Sequence, residues 1–144
     1  MTQFTSKLLK TLGFLVLLSI PTAIIAEEEN DGETEQQEAL MYYAVEPNTL
    51  TFYQGTGKKI GYIVVQVNIA VRGQENYDLV ELHLPLIQDS LIDFFNRQDK
   101  TVIQDVKERE SLRQQAQTNV SNVLKAETGK DIVENLLFTD YVYQ

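Results

Sequence analysis

Lys59-Ile-Gly-Tyr-Ile-Val-Val-Gln-Val-Asn-Ile-Ala-Val-Arg72 is the stretch whose reading decides the fold. Ile63, Val65, Val67, Ile69 and Val71 fall on one face, and Tyr62, Gln66, Asn68 and Arg72 on the other, with Val64 and Ala70 between them. A period of two predicts a strand with one buried and one wetter face. Upstream, Tyr42-Tyr-Ala-Val-Glu-Pro-Asn-Thr-Leu-Thr-Phe-Tyr53 is rich in β-branched and aromatic residues. Pro47 within it favours an edge strand, because proline has no N–H for a ladder. Gln54-Gly-Thr-Gly-Lys58 is a turn with two glycines, so the two strands are expected to form a long antiparallel hairpin.

Downstream, the period changes. Gly73 to Tyr77 reads as a turn, and Asp78 with Glu81 fits a capping box opening a short helical turn. Pro85 must break or restart that helix. Leu84, Ile87, Leu91, Phe94 and Phe95 then lie on one helical face. Thr101 and Gln104 suggest a short helix through Val106. Leu112, Ala116, Val120, Val123, Leu124 and Glu127 give a longer amphipathic helix, and Gly129 is its stop signal. Ile132 to Tyr143 closes the sequence as a strand, with Phe138, Tyr141 and Val142 as its bulk. The expectation is an α+β domain of order β-β-α-α-β, an antiparallel sheet with helices packed on one face.

The N-terminal part is different in kind. Residues 1–26 carry Lys7 and Lys10 and then a charge-free, mostly apolar run, Thr11 to Ala26. A helix of 16 residues rises about 24 Å, short of the roughly 30 Å hydrocarbon core. Two readings stay open: a signal peptide cleaved after Ala26, or a short signal anchor. Both place the body outside the cytoplasm, in a bacterial periplasm, and the anchored form ties it to the inner membrane. Residues 27–41 form an acidic linker: Glu27 to Glu38 hold seven acids and no base. Residues 42–144 are the folded domain.

Composition excludes several functions. With no cysteine there is no disulfide, thiolate metal site or cysteine nucleophile, and one histidine excludes a multi-histidine site. Twelve Lys and Arg against 21 Asp and Glu, net charge -9, argue against nucleic acid as a partner. Gly55-Thr-Gly-Lys58 lies between two strands, so it is not a phosphate loop. His83, beside a helix break, suits a structural bond to a freed carbonyl better than acid–base chemistry. Asp89 and Asp93 share a helix face without a surrounding ligand loop. No metal, cofactor or catalytic residue is expected. Lys107 to Arg113 alternates charge at helical spacing, a pattern of a surface helix or a subunit contact. Tyr141 and Tyr143 flank Val142 on a final strand that could offer an edge to another chain.

Several segments in order resemble the FliL family, the flagellar basal body-associated proteins of bacteria. They are Tyr43-Ala-Val-Glu-Pro47; the strand Gly61 to Ile69; His83-Leu-Pro85-Leu-Ile87 with Asp89; and Leu137-Phe138-Thr139-Asp-Tyr-Val142-Tyr-Gln144. The resemblance covers about Tyr43 to Gln144. It implies a stomatin-like (SPFH-like) domain in the periplasm that assembles with itself, as a ring, around ion-driven stator units of the MotA/MotB type. It also implies a non-enzymatic role in torque and motility, within the framework of motility and chemotaxis. Asp93, Arg97, Arg109 and Arg113 are the self-association candidates that this comparison and their charges suggest. The alternative is a general periplasmic stomatin-like scaffold or binding module unrelated to flagella. Two departures stand out: the apolar run is shorter than the family's usual anchor, and Gln88 stands where a basic residue often precedes Asp89. N-terminal sequencing of the exported protein separates the two leader readings: a chain beginning at Glu27 means cleavage, one retaining residues 1–26 means an anchor.

Overall fold

A computed structural model describes residues 38–57 and 59–144. The leader, and all but the last residues of the acidic linker, lie outside them. The alternating stretch is strand β2 (Ile60–Arg72), preceded by β1 (Leu40–Gln54). The two form the expected antiparallel hairpin, from Leu40 opposite Arg72 to Gln54 opposite Ile60. β1 begins at Leu40, two residues before the boundary suggested by composition. Four helices follow: α1 (Gly73–Leu82), α2 (Leu84–Asn96), α3 (Lys100–Gln104) and α4 (Arg109–Thr128). Strand β3 (Asn135–Tyr143) then returns antiparallel to β2. The sheet order is β1-β2-β3, so the most regular strand is central and the proline-bearing strand is at an edge.

The fold is α+β with helices packed against an open three-stranded sheet, but the element order is β-β-α-α-α-α-β, not β-β-α-α-β. Two physical reasons account for the difference. Gly73, read as a turn residue, adopts φ 76° and starts α1 at once, its N–H bonding Ala39 O at 3.0 Å. Only glycine enters that left-handed region freely. Asn76 Nδ2 donates to Arg72 O at 2.8 Å, so the helix opens five residues before the Asp78 box. Second, Asp99 caps the start of α3, its carboxylate accepting from the Thr101 and Val102 N–H groups and setting this short helix off from α2, while the extended Asp105 (φ -84°, ψ 116°) ends it before α4. Pro85 sits in the first turn of α2, where a missing N–H costs nothing. Gly129 ends α4 at φ 73°, its N–H bonding Lys125 O at 2.9 Å.

The core lies between one sheet face and the helices. Ile63, Val65, Val67, Ile69 and Val71 of β2 are fully buried. Against them pack Val80 of α1, Ile87, Leu91 and Phe95 of α2, Ile103 of α3, and Leu112, Ala116, Val120 and Leu124 of α4. Each fully buried aliphatic side chain is worth about 1.5–3 kcal/mol. Phe95 is the largest, stacked near Phe94 and Phe138 at 5.2 and 5.8 Å between ring centroids.

Near the hairpin end, Gly61 is required by a close approach. A Cβ there would fall 2.1 Å from the Tyr53 ring. Tyr53 is buried, its hydroxyl donating to Gln144 O and accepting from Gln104 Nε2, each at 2.8 Å. That pair of bonds ties the hairpin to α3 and to the last residue of the sequence. Phe95→Ala is expected to destabilise the domain by about 3–5 kcal/mol in urea unfolding. Gly61→Ala should cost about 1–3 kcal/mol by displacing Tyr53, whereas Gln115→Ala on the exposed side of α4 should change stability by less than about 0.5 kcal/mol.

Candidate interaction surface

The family-like residues divide into those that hold the fold and those that face outward. His83 is the hinge between α1 and α2: its N–H donates to Leu79 O, and its carbonyl accepts from Ile87 N–H, each at 3.1 Å. Pro47 lies exposed in a bulge of β1, where pairing with β2 jumps between Val45 and Thr49. Gln88 takes up the position noted for its missing charge. Its Nε2 donates to Glu46 O at 2.8 Å, so a neutral bond ties α2 to the bulge. Phe138 is half-buried under Phe95, and Thr139 forms the matching irregularity in β3, its hydroxyl 3.5 Å from Gln66 O. Gln144 pairs its backbone with Tyr62 in both directions, at 2.9 and 3.2 Å.

The charged candidates fall into two separate groups. Asp93 and Arg97 form an exposed i,i+4 pair at 3.4 Å on α2, beside Asp89 in a shallow groove against α4. Arg109 and Arg113 lie on the first turns of α4 and face β3. The Arg109 guanidinium stands 4.4 Å above the Tyr141 ring. Arg113 is four-fifths buried and spends its donors internally: on Glu110 at 2.6 and 2.9 Å, Asn135 and Leu136 O at 2.7 Å, and Gln117 at 3.1 Å. No hydrogen bond or ion pair among the described residues links the two groups.

The electrostatics match this division. Hydrogen bonds from Arg113 hold the Glu110 carboxyl well below its usual range, at about 2. Burial pushes the Tyr141 hydroxyl up to about 12, while the Arg109 charge pulls the other way. The Tyr141 hydroxyl donates to Ile103 O at 3.0 Å. No group of three acidic or histidine side chains able to hold a metal is found among the described residues.

The β3 edge is guarded. Arg113 and Gln117 bond the carbonyls of Leu136 and Glu134, and the Asp140 carboxylate accepts the Tyr141 N–H at 2.9 Å. A side chain bonding the edge backbone and a carboxylate beside it both oppose strand addition. The open face of the sheet is a different matter. At the hairpin-turn end, Leu50, Phe52, Ile60, Tyr62 and Val142 are each more than half exposed. Phe52 and Tyr62 are cross-strand partners with rings edge to face at 5.7 Å. Leu50, Val64 and Val142 form the next row across all three strands. Towards the middle, the face turns polar at Gln66, Asn68 and Asp140. At the far end, Leu40 and Tyr42 are exposed again.

Sequence reasoning singled out Val142 but missed the patch. The signal was available: Tyr62 and Val64 are apolar in the phase opposite to Ile63 and Val65, and Leu50 and Phe52 share that phase on β1. Exposed apolar surfaces of this kind are a feature that docking surfaces share.

A model of the family described as flagellar basal body-associated protein FliL matches residues 42–144. No curated protein matches the chain.

Raising acidity tests the Arg113 anchor. Glu110 is depressed in the folded state, so its contribution is present above its ordinary value of 4.5 and is lost as pH falls towards about 2. In an NMR titration the Glu110 carboxyl is expected to have a midpoint near 2, and Arg113→Ala should raise it towards its ordinary value of 4.5, with the Gln114 hydrogen bond still lowering it.

Proposed function

The chain belongs to the FliL family of flagellar basal body-associated proteins, and from that membership we propose that it is a motor accessory that assembles with itself around stator units. The observation that carries the proposal is the extent of the match, which takes in nearly all of the described domain. In this reading the domain is stomatin-like (SPFH-like) and works in the periplasm, held to the inner membrane where the leader is retained. Its task is to position and support MotA/MotB-type stators under load, without chemistry of its own.

The chain's physical properties support that reading. No helix among the described residues is long and apolar enough to cross a membrane. Among the described residues, Leu50, Phe52, Ile60, Tyr62 and Val142 expose apolar surface on the open face of the sheet, which suits protein docking better than small-molecule turnover. A ring requires a heterologous contact, in which one surface meets a different one on the next copy. The chain offers unlike surfaces: the apolar hairpin end, the guarded β3 edge and the charged α2 groove.

Deleting the gene should leave filaments assembled while lowering swimming speed in viscous medium or abolishing swarming. Tracking cells at increasing viscosity measures this; unchanged motility under load removes the proposal.

A further inference from the structure

The charge of the folded domain is segregated. Arg72, Arg97, Arg113, Lys125 and Lys130 each form an ion pair. Lys59, Lys100, Lys107 and Arg109 form none among the described residues. All four lie at one end of the molecule. Lys59 and Lys100 line one hollow with Tyr53, Ile60 and Gln104. Lys107 lies in the turn after α3, and Arg109 covers Tyr141. The acids nearby are Asp99, Asp105 and Glu108. Asp99 is committed to capping α3, and Asp105 accepts the Lys107 N–H at 2.9 Å. The same end carries the exposed apolar patch, and Lys59 borders it beside Phe52 and Ile60. The surface is therefore apolar with a basic rim, and its complement is a segment that is acidic and then apolar.

This chain contains such a segment. Glu27 to Glu38 hold seven acids and no base, and the exposed Leu40 and Tyr42 follow directly. Its own copy is a poor recipient. The segment joins β1 at Leu40, and the basic hollow lies at the opposite end of the sheet, a span that the β2 partners Arg72 to Ile60 set at about 40 Å at 3.3 Å per residue. Twelve residues cover about 40 Å only when fully extended, so its acids meet their own rim only with the whole segment drawn taut along the sheet, a constraint that a second copy does not impose.

We infer that the acidic segment of one copy, with Leu40 and Tyr42 behind it, docks on the hairpin end of a second copy. The acids meet Lys59, Lys100 and their neighbours, and the apolar residues meet Leu50, Phe52, Ile60 and Tyr62. Unlike ends meet, so the contact is heterologous and repeats from copy to copy. It rests on the proposal of self-assembly and names the surfaces that carry it. Charge sets the polarity and the encounter rate, while the apolar patch supplies the area removed from water.

The absence of native cysteine permits a direct test. Two differently tagged full-length copies are co-expressed, one carrying Glu35→Cys and the other Lys59→Cys, and joined with a short bis-maleimide. A second pairing replaces Lys59→Cys by Gln115→Cys on the outer side of α4. The expected result is a mixed dimer at Glu35–Lys59 in several-fold excess over Glu35–Gln115. Its yield should fall when salt is raised from about 0.05 M to about 0.5 M, because rim charges are screened. Lys59→Glu with Lys100→Glu, read through a Glu35→Cys and Thr56→Cys pair, should lower the yield. Replacing Glu28, Glu29 and Glu33 by Lys on the other copy should restore it. Equal yields from the two pairings overturn the inference. So does a silent Glu35–Lys59 pair in a protein that still runs as an oligomer, and that result leaves self-assembly standing. A protein that is monomeric in every arm overturns both.

Discussion

The structure depends on burying one face of one strand. β2 has neighbours on both sides, and five of its β-branched side chains, Ile63 to Val71 in steps of two, are completely inaccessible. At about 1.5–3 kcal/mol each, burial of that row is a large share of the gain that offsets the conformational entropy lost on folding. Every other element is positioned by it. α2 and α4 exist as packed helices because Ile87, Leu91 and Phe95, and Leu112, Ala116, Val120 and Leu124, complete the other half of the layer. Helices of this length would be marginal in water without such a partner face.

Covering one face leaves the sheet with two edges and a bare side, and each is treated differently. The outer strand β1 is interrupted at Glu46–Pro47 and fastened there by Gln88. The other outer strand is fastened by Arg113 and Gln117, and its Tyr141 N–H is taken up by the Asp140 carboxylate. Both devices oppose indiscriminate pairing along the edges. The bare side has no equivalent protection at the hairpin end, where Leu50, Phe52, Tyr62 and Val142 project. An isolated domain gains nothing from exposing them, and their rigidity on a paired sheet keeps the ordering cost of a contact low.

The features legible in the sequence were those carried by local periodicity and local backbone demands. β2, the hairpin, the Pro85 restart, the α4 stripe and the Gly129 stop follow from residues close together in the chain. Gly73 misled because glycine serves a turn and a left-handed helix entry equally well; only its N–H bond to Ala39, the residue just before the neighbouring strand, decides between them. Arg113 was legible as a charged helix residue, but its partners Asn135 and Leu136 lie 22 and 23 positions away. Its role as a clamp on β3 therefore belongs to tertiary structure. The Tyr53–Gly61–Gln144 contact spans 91 residues and has no local signature.

Net charge, read as a single value of -9, conceals the arrangement. The sign varies along the molecule. The segment leading into β1 is strongly acidic, five bases of the folded domain are held in ion pairs, and Lys59, Lys100, Lys107 and Arg109 towards the hairpin end form none among the described residues. Nothing in the fold requires this order, since exposed charges contribute little to stability at either end. Two copies aligned the same way would set like charges against each other. Two copies meeting end to end set acid against base, and they do so in one direction only. In the end-to-end contact inferred above, a charge gradient of this kind would act as a register for association, along the same strand that the core fixes in place.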